Sequence, residues 1–140
     1  MTTFLDTNVL IYLLNTESPL HGWAVSEFDG CRARGPTIIS DIVYSEFSVA
    51  MNSREETDTA ISQLSLERVR GTADALFQAG KAFRKYRSQG GKRTRILPDF
   101  IIGAIAVAAG GALMTANPDD FSDYFPNIKI ISPDGERGTT

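Results

Sequence analysis

The chain has 140 residues, 42% of them apolar and 22% charged, which is the balance of one globular domain and not of a disordered chain, a collagen-like repeat or a coiled coil. A single cysteine, Cys31, excludes an intramolecular disulfide scaffold, and with His21 the only histidine a zinc site is nearly excluded as well. The net charge of −3 gives no global reason to bind nucleic acid. Yet the segment between Asp74 and Asp99 holds Lys81, Arg84, Lys85, Arg87, Lys92, Arg93 and Arg95 and no acid. Such a run is either a solvated helix face with a loop or a local phosphate-binding patch, and charge alone does not choose.

In chain order, Thr3–Leu5 reads as a short strand, followed directly by a helix from Asn8 to Leu14. Pro19 is expected to open a second helix ending near Gly30, with Trp23, Phe28 and either Ala24 or Val25 inward. Pro36–Ser40 is an apolar run of strand length, and Asp41–Met51 a helix. Ser53-x-x-Glu56 has the form of a capping box for a helix reaching about Leu64. A strand is expected near Leu66–Val69. Thr72 then caps a long helix whose apolar positions are Ala75, Leu76, Ala79, Ala82, Phe83 and Tyr86, ended by Ser88-Gln89-Gly90-Gly91. An almost wholly apolar helix from Asp99 to Ala109 stops at Gly110-Gly111, and Ala112–Thr115 and Ile128–Ile131 complete the strands. Short apolar strands alternating with helices predict a single α/β domain, a sandwich around a mainly parallel sheet. The longest apolar stretch, Phe100–Met114, is too short for a membrane span and is broken by glycines. With no basic region before the first apolar run, a cytoplasmic protein is expected.

In parallel sheets ligands bind beyond the carboxyl ends of the strands, so acids placed there are examined first. Asp6 follows the first strand, where it serves equally well as a helix N-cap. Glu46 falls, at 3.6 residues per turn, within the arc defined by Ile42, Val43, Phe47 and Ala50, where an unpartnered glutamate is unusual. Asp99, after Pro98, is another N-cap candidate at the start of a central helix. Thr115-Ala116-Asn117-Pro118-Asp119-Asp120 follows a strand and offers a hydroxyl, an amide and carboxylates, although a plain loop explains it too. Clustered carboxylates repel one another unless cations neutralise them, and an oxygen-rich set suits Mg²⁺ or Mn²⁺. No Ser-His-Asp set and no phosphate-cradling glycine loop occurs. Metal-assisted hydrolysis is the chemistry left, with phosphodiesters the natural target for a basic surface.

These segments together resemble a known family. Phe4-Leu5-Asp6-Thr7-Asn8-Val9-Leu10-Ile11 is similar to the opening of PIN domains, particularly VapC-type toxins of bacterial toxin–antitoxin pairs. Ser40 with Glu46-Phe47 resembles their second motif and Leu97-Pro98-Asp99-Phe100-Ile101-Ile102-Gly103-Ala104 their third. Thr115-Ala116-Asn117 with Asp120-Phe121 resembles the fourth. The motifs stand in family order across almost the whole chain.

The resemblance implies a PIN-like α/β/α sandwich over residues 1–140, with about 133–140 a flexible tail. It implies an endoribonuclease dependent on Mg²⁺ or Mn²⁺ that leaves 5′-phosphate and 3′-hydroxyl ends. Asp6, Glu46 and Asp99 are then the metal-holding acids. Asn117 stands where the family often has aspartate, and Asp120 is positioned to take over part of that role. Thr7, Asn8 and Thr115 are expected to orient water or phosphate, and Arg93 and Arg95 to contact RNA. Implied partners are a second copy in a homodimer and a small VapB-like antitoxin, with the helices around Ile11, Leu14, Trp23 and Phe28 as contact surfaces. Two other readings stay open: a PIN-fold module that binds RNA or a partner without cutting, and, ranked last, an aspartyl-phosphate acceptor.

Overall fold

The computed structural model describes residues 1–92 and 96–137. Thr3–Leu5 forms β1, wholly buried, and hands directly to α1 (Thr7–Leu14). The second helix, α2 (His21–Arg34), starts two residues after Pro19 and continues a full turn past Gly30. It buries Ala24 and Phe28 and leaves Val25 exposed. Strand β2 (Thr37–Ser40) leads into α3 (Asp41–Ser48), which ends three residues earlier than Met51. Ser53 caps α4 (Arg54–Gln63) by accepting from Glu56 N at 3.1 Å, while the Glu56 carboxylate reaches back to Asn52 N at 2.9 Å. One orphan donor of the helix start and the N–H of the residue before the cap are thereby satisfied.

After β3 (Glu67–Val69), Thr72 caps α5 (Ala73–Ser88) through Ala75 N. Ala75 and Ala79 are buried, but Leu76, expected on the same face, is exposed. Helix α6 spans Leu97–Ala108. It buries Phe100, Ile102, Gly103, Ala104, Ile105 and Ala106, as its all-apolar composition requires. Gly110, at φ +66°, takes the left-handed turn that ends it, with Gly111 N bonded to Ala106 O. Then come β4 (Ala112–Met114), a single-turn helix α7 (Asp119–Ser122), β5 (Ile130–Ser132) and β6 (Gly135–Arg137). Residues 135–137 pair antiparallel with β5.

The strand order is β3-β2-β1-β4-β5-β6, and every pair but the last is parallel. Helices flank this sheet as an α/β/α sandwich. The chain works outward from β1 to β3, then returns through α5 and α6 to place β4 on the other side of β1. That reversal makes β1 and β4 neighbours at a topological switch point, where a crevice opens beyond the strand ends. Inner strands β1, β4 and β5 are buried throughout, whereas edge strand β3 carries the charges of Glu67 and Arg68. Among the described residues no helix is long and apolar enough to cross a membrane.

Near the start of α6 an aromatic cluster fixes the helix. Phe83, Tyr86, Tyr124 and Phe125 surround Phe100 at centroid distances of 5.3 to 6.2 Å. Gly103 makes the closest part of this packing possible, because a Cβ there would lie 2.6 Å from the Phe125 ring.

Candidate active site

The crevice at the switch point is built on Asp6, the first residue beyond β1. Asp6 N donates to Met114 O at 2.9 Å, so the ladder between β1 and β4 extends to the base of the site. The Asp6 side chain does cap α1, accepting from Thr7 N at 2.8 Å. Its other oxygen accepts from Thr115 Oγ1 at 2.8 Å and from Asn8 Nδ2 at 3.3 Å. Capping and site membership are therefore the same fact, since one carboxylate faces both the helix start and β4.

Thr115 is fully buried and bridges two partners, donating to Asp6 while accepting from Asn117 N at 3.0 Å. Asn8 ties the same two loops together, its Oδ1 accepting from Ala116 N at 3.4 Å. Thr7 donates from Oγ1 to Glu46 Oε1 at 2.7 Å, and so brings α3 to the β1 loop. Ser40, buried at the end of β2, caps α3 through Val43 N and sets the direction in which that helix leaves the sheet.

Asp6 is 5% exposed, and burial raises its carboxyl from 3.8 to about 6. The hydrogen bonds from Thr115 and Thr7 oppose that rise, and the negative charges of Glu46 and Asp120 add to it. A buried carboxylate with two further carboxylates acting on it is a place where a cation is favoured. All available donors are oxygens, which fits Mg²⁺ or Mn²⁺ better than a soft ion. Among the described residues no three His, Cys, Asp or Glu side chains converge closely enough to hold a metal by themselves.

Of the residues expected at the site, Asp6, Thr7, Asn8, Glu46, Thr115 and Asn117 are joined by hydrogen bonds, and Asp120 acts on Asp6 through its charge. Glu46 does not lie inside an apolar arc. It is exposed, because α3 is short and buries only Val43 and Phe47, leaving Val49 and Ala50 in solvent. Asp99 is half-buried in the first turn of α6 but is not its N-cap. Ile96 occupies that position, Pro98 lies within the first turn, and Asp99 N bonds to Ile96 O at 3.0 Å. Asp120 belongs to α7, a helix too short to leave a periodic signal in the sequence. Arg93 and Arg95 lie outside the described residues.

A model of the PIN domain matches residues 3–124. The chain belongs to the PIN domain family. Several solved PIN-fold structures share its topology. VapBC2 from Rickettsia felis, bound to a DNA fragment from its promoter, is 20% identical with a TM-score of 0.72, covering 94% of this chain and 98% of that one. VapBC-1 from nontypeable Haemophilus influenzae is 21% identical with a TM-score of 0.68 and the same coverage. VapC20 from Mycobacterium tuberculosis, a toxin that cleaves the sarcin–ricin loop, is 19% identical with a TM-score of 0.58, covering 86% and 94%. No curated protein sequence matches the chain. At these identities the likeness shows the shared PIN fold.

Proposed function

We propose that this PIN domain is the toxin of a toxin–antitoxin pair and acts as a divalent-metal-dependent endoribonuclease. The observation that carries the reading is the buried Asp6 carboxylate, raised to about 6 and acted on by Glu46 and Asp120 at the switch point of the sheet. Its likeness in fold to the toxins of VapBC pairs and to VapC20, which cleaves the sarcin–ricin loop, supports the class.

Asp6, Glu46 and Asp99 would hold Mg²⁺ or Mn²⁺ together with water, since the three carboxylates do not converge closely enough to bind an ion by themselves. Such an ion, when bound, supplies Lewis acidity toward a phosphodiester and lowers the pKa of water. The chain's own residues do the positioning. Thr115 and Asn8 hold the Asp6 carboxylate in one orientation, and Thr7 holds Glu46 beside it. Asn117 contributes an uncharged amide at the rim, where Asp120 brings the charge that Asn117 lacks. Hydrolysis by water leaves a 5′-phosphate and a 3′-hydroxyl. Outside the centre, Ile11, Leu14 and Val25 remain exposed on α1 and α2, while Phe28 is buried in the core. The three exposed side chains suit a VapB-like antitoxin, and a homodimer and a cytoplasmic location follow the same reading.

Asn117 in place of an acid is the feature that favours a binding module without activity. Cleavage of total RNA by the purified chain in Mg²⁺, in EDTA and as Asp6→Asn separates the two. Discrete fragments that vanish with EDTA and with the variant support the nuclease. RNA binding without fragments in Mg²⁺ or Mn²⁺ supports the module.

A further inference from the structure

A groove of about 490 Å³ runs between α5, α6 and the segment following α7, apart from the carboxylate centre. Its floor includes Ala82 and Ala104, small residues that leave room between the two helices. Tyr124, half-buried, lines the groove together with Lys81, Lys85 and the amides of Gln78 and Asn127. Lys81 and Lys85 are one helical turn apart, about 6 Å along the axis of α5, so both positions fall on the same rim of the groove. Among the described residues neither lysine forms a salt bridge, and Lys81 Nζ rests over the Phe77 ring at 5.3 Å. The acid on the lining, Asp74, lies seven residues before Lys81 on α5, about two helical turns away.

The groove and the site share α6. Asp99 and Ala104 belong to the same helix, five residues or about 8 Å apart along it. Tyr124 packs edge-on against Phe100, the residue next to Asp99, at 5.3 Å. We infer that this groove is a nucleotide subsite for the single-stranded RNA proposed above as substrate. A base would stack on Tyr124, and its edge would meet the amides of Gln78 and Asn127. The flanking phosphates would meet Lys81 and Lys85. The basic run that the sequence leaves ambiguous thereby divides. Lys81 and Lys85 line a groove of nucleotide size, whereas Arg84 and Arg87 are exposed on the same helix without lining it. A nucleic-acid strand is favoured over a peptide because an aromatic wall, amides and two lysines that form no salt bridge among the described residues line one groove.

The inference rests on the ribonuclease reading, and the experiment separates the two. Binding of a fluorescein-labelled twelve-nucleotide oligouridylate is measured by anisotropy in EDTA over a range of salt, for wild type, Lys81→Ala/Lys85→Ala and Tyr124→Leu. Cleavage kinetics on the same oligonucleotide are followed in Mg²⁺. The lysine positions are exposed, so folding should survive, as circular dichroism would verify. The expected results are affinity lower by roughly tenfold or more in each variant, and a salt slope reduced by about 1.4 in the lysine variant. KM should rise with kcat unchanged. Wild-type cleavage with the same KM in both variants would overturn the subsite and leave the nuclease standing. No binding and no cleavage by wild type would overturn the ribonuclease reading and the subsite with it. A changed oligomeric state in size-exclusion chromatography with unaltered RNA affinity would make the groove a protein interface and overturn the subsite.

Discussion

Replacing Asp6 by asparagine should make the metal-free protein more stable while removing its activity. Folding places the Asp6 carboxyl at 5% exposure and raises it from 3.8 to about 6. At 1.36 kcal/mol per unit, holding it ionised in the folded state costs about 3 kcal/mol. The folded protein binds this proton more tightly than the unfolded chain. The stability associated with it is therefore fully present below 3.8 and is lost as pH rises through about 6. Asparagine carries no such charge. It keeps an oxygen for Thr7 N but turns an amide toward Thr115 Oγ1, and rearranging that hydrogen bond costs on the order of 1 kcal/mol. The net gain at pH 7.5 in EDTA is about 1–2 kcal/mol, or roughly 3–8 °C in Tm. Urea unfolding of both proteins at pH 4 and pH 7.5 tests this, because the two chains differ only in this one carboxyl. The variant should lead at pH 7.5 and not at pH 4, and added Mg²⁺ should narrow the difference by stabilising wild type. Equal destabilisation of the variant at both pH values would refute the argument that burial strains this carboxylate.

Further substitutions probe the supports around it. Thr115→Val removes the hydroxyl that lowers the Asp6 carboxyl and accepts from Asn117 N. The loss of stability at pH 7.5 should be about 1–3 kcal/mol by urea titration, and the pH-dependent decline should extend to higher pH than in wild type. Thr7→Val frees Glu46 of α3 from its hydrogen bond across to α1, so RNA cleavage should fall while Tm changes by only a few degrees. Gly103→Ala sets a methyl against the Phe125 ring and should destabilise by about 1–3 kcal/mol, with Phe125→Leu restoring part of it in the double variant. Ser53→Ala should cost about 1 kcal/mol through the lost α4 cap and leave RNA cleavage unchanged, since that cap lies outside the candidate site.

Local chemistry made much of this protein legible in its sequence. Ser53 and Thr72 act as helix caps, Gly110 ends α6, and the apolar run Phe100–Ala106 is buried except for Ile101, because each depends on neighbours within a turn or two of chain. Asp6 was recognisable for a similar reason: an acid directly after an apolar strand and before a helix stands at a sheet end whichever fold surrounds it. The motif order then pointed to the PIN family, and the family match over residues 3–124 agrees.

Other features were decided only by tertiary structure. Helical periodicity says which side of α3 is apolar, but not how many turns meet another element, and α3 is covered for so few that Glu46 is exposed. Asp99 lost the expected cap position because Ile96, not Pro98, marks the start of α6. The single turn of α7 and the last strand, β6, leave no periodic trace, as both exist through contacts made after the sheet has formed. The shift in the Asp6 carboxyl is likewise absent from local sequence. It requires β4 beside β1 to bury the group, and α3 and α7 close by to add the charges of Glu46 and Asp120. Short-range pattern thus specified the elements and the first acid, whereas the electrostatics of the site arose from segments more than a hundred residues apart meeting at the switch point.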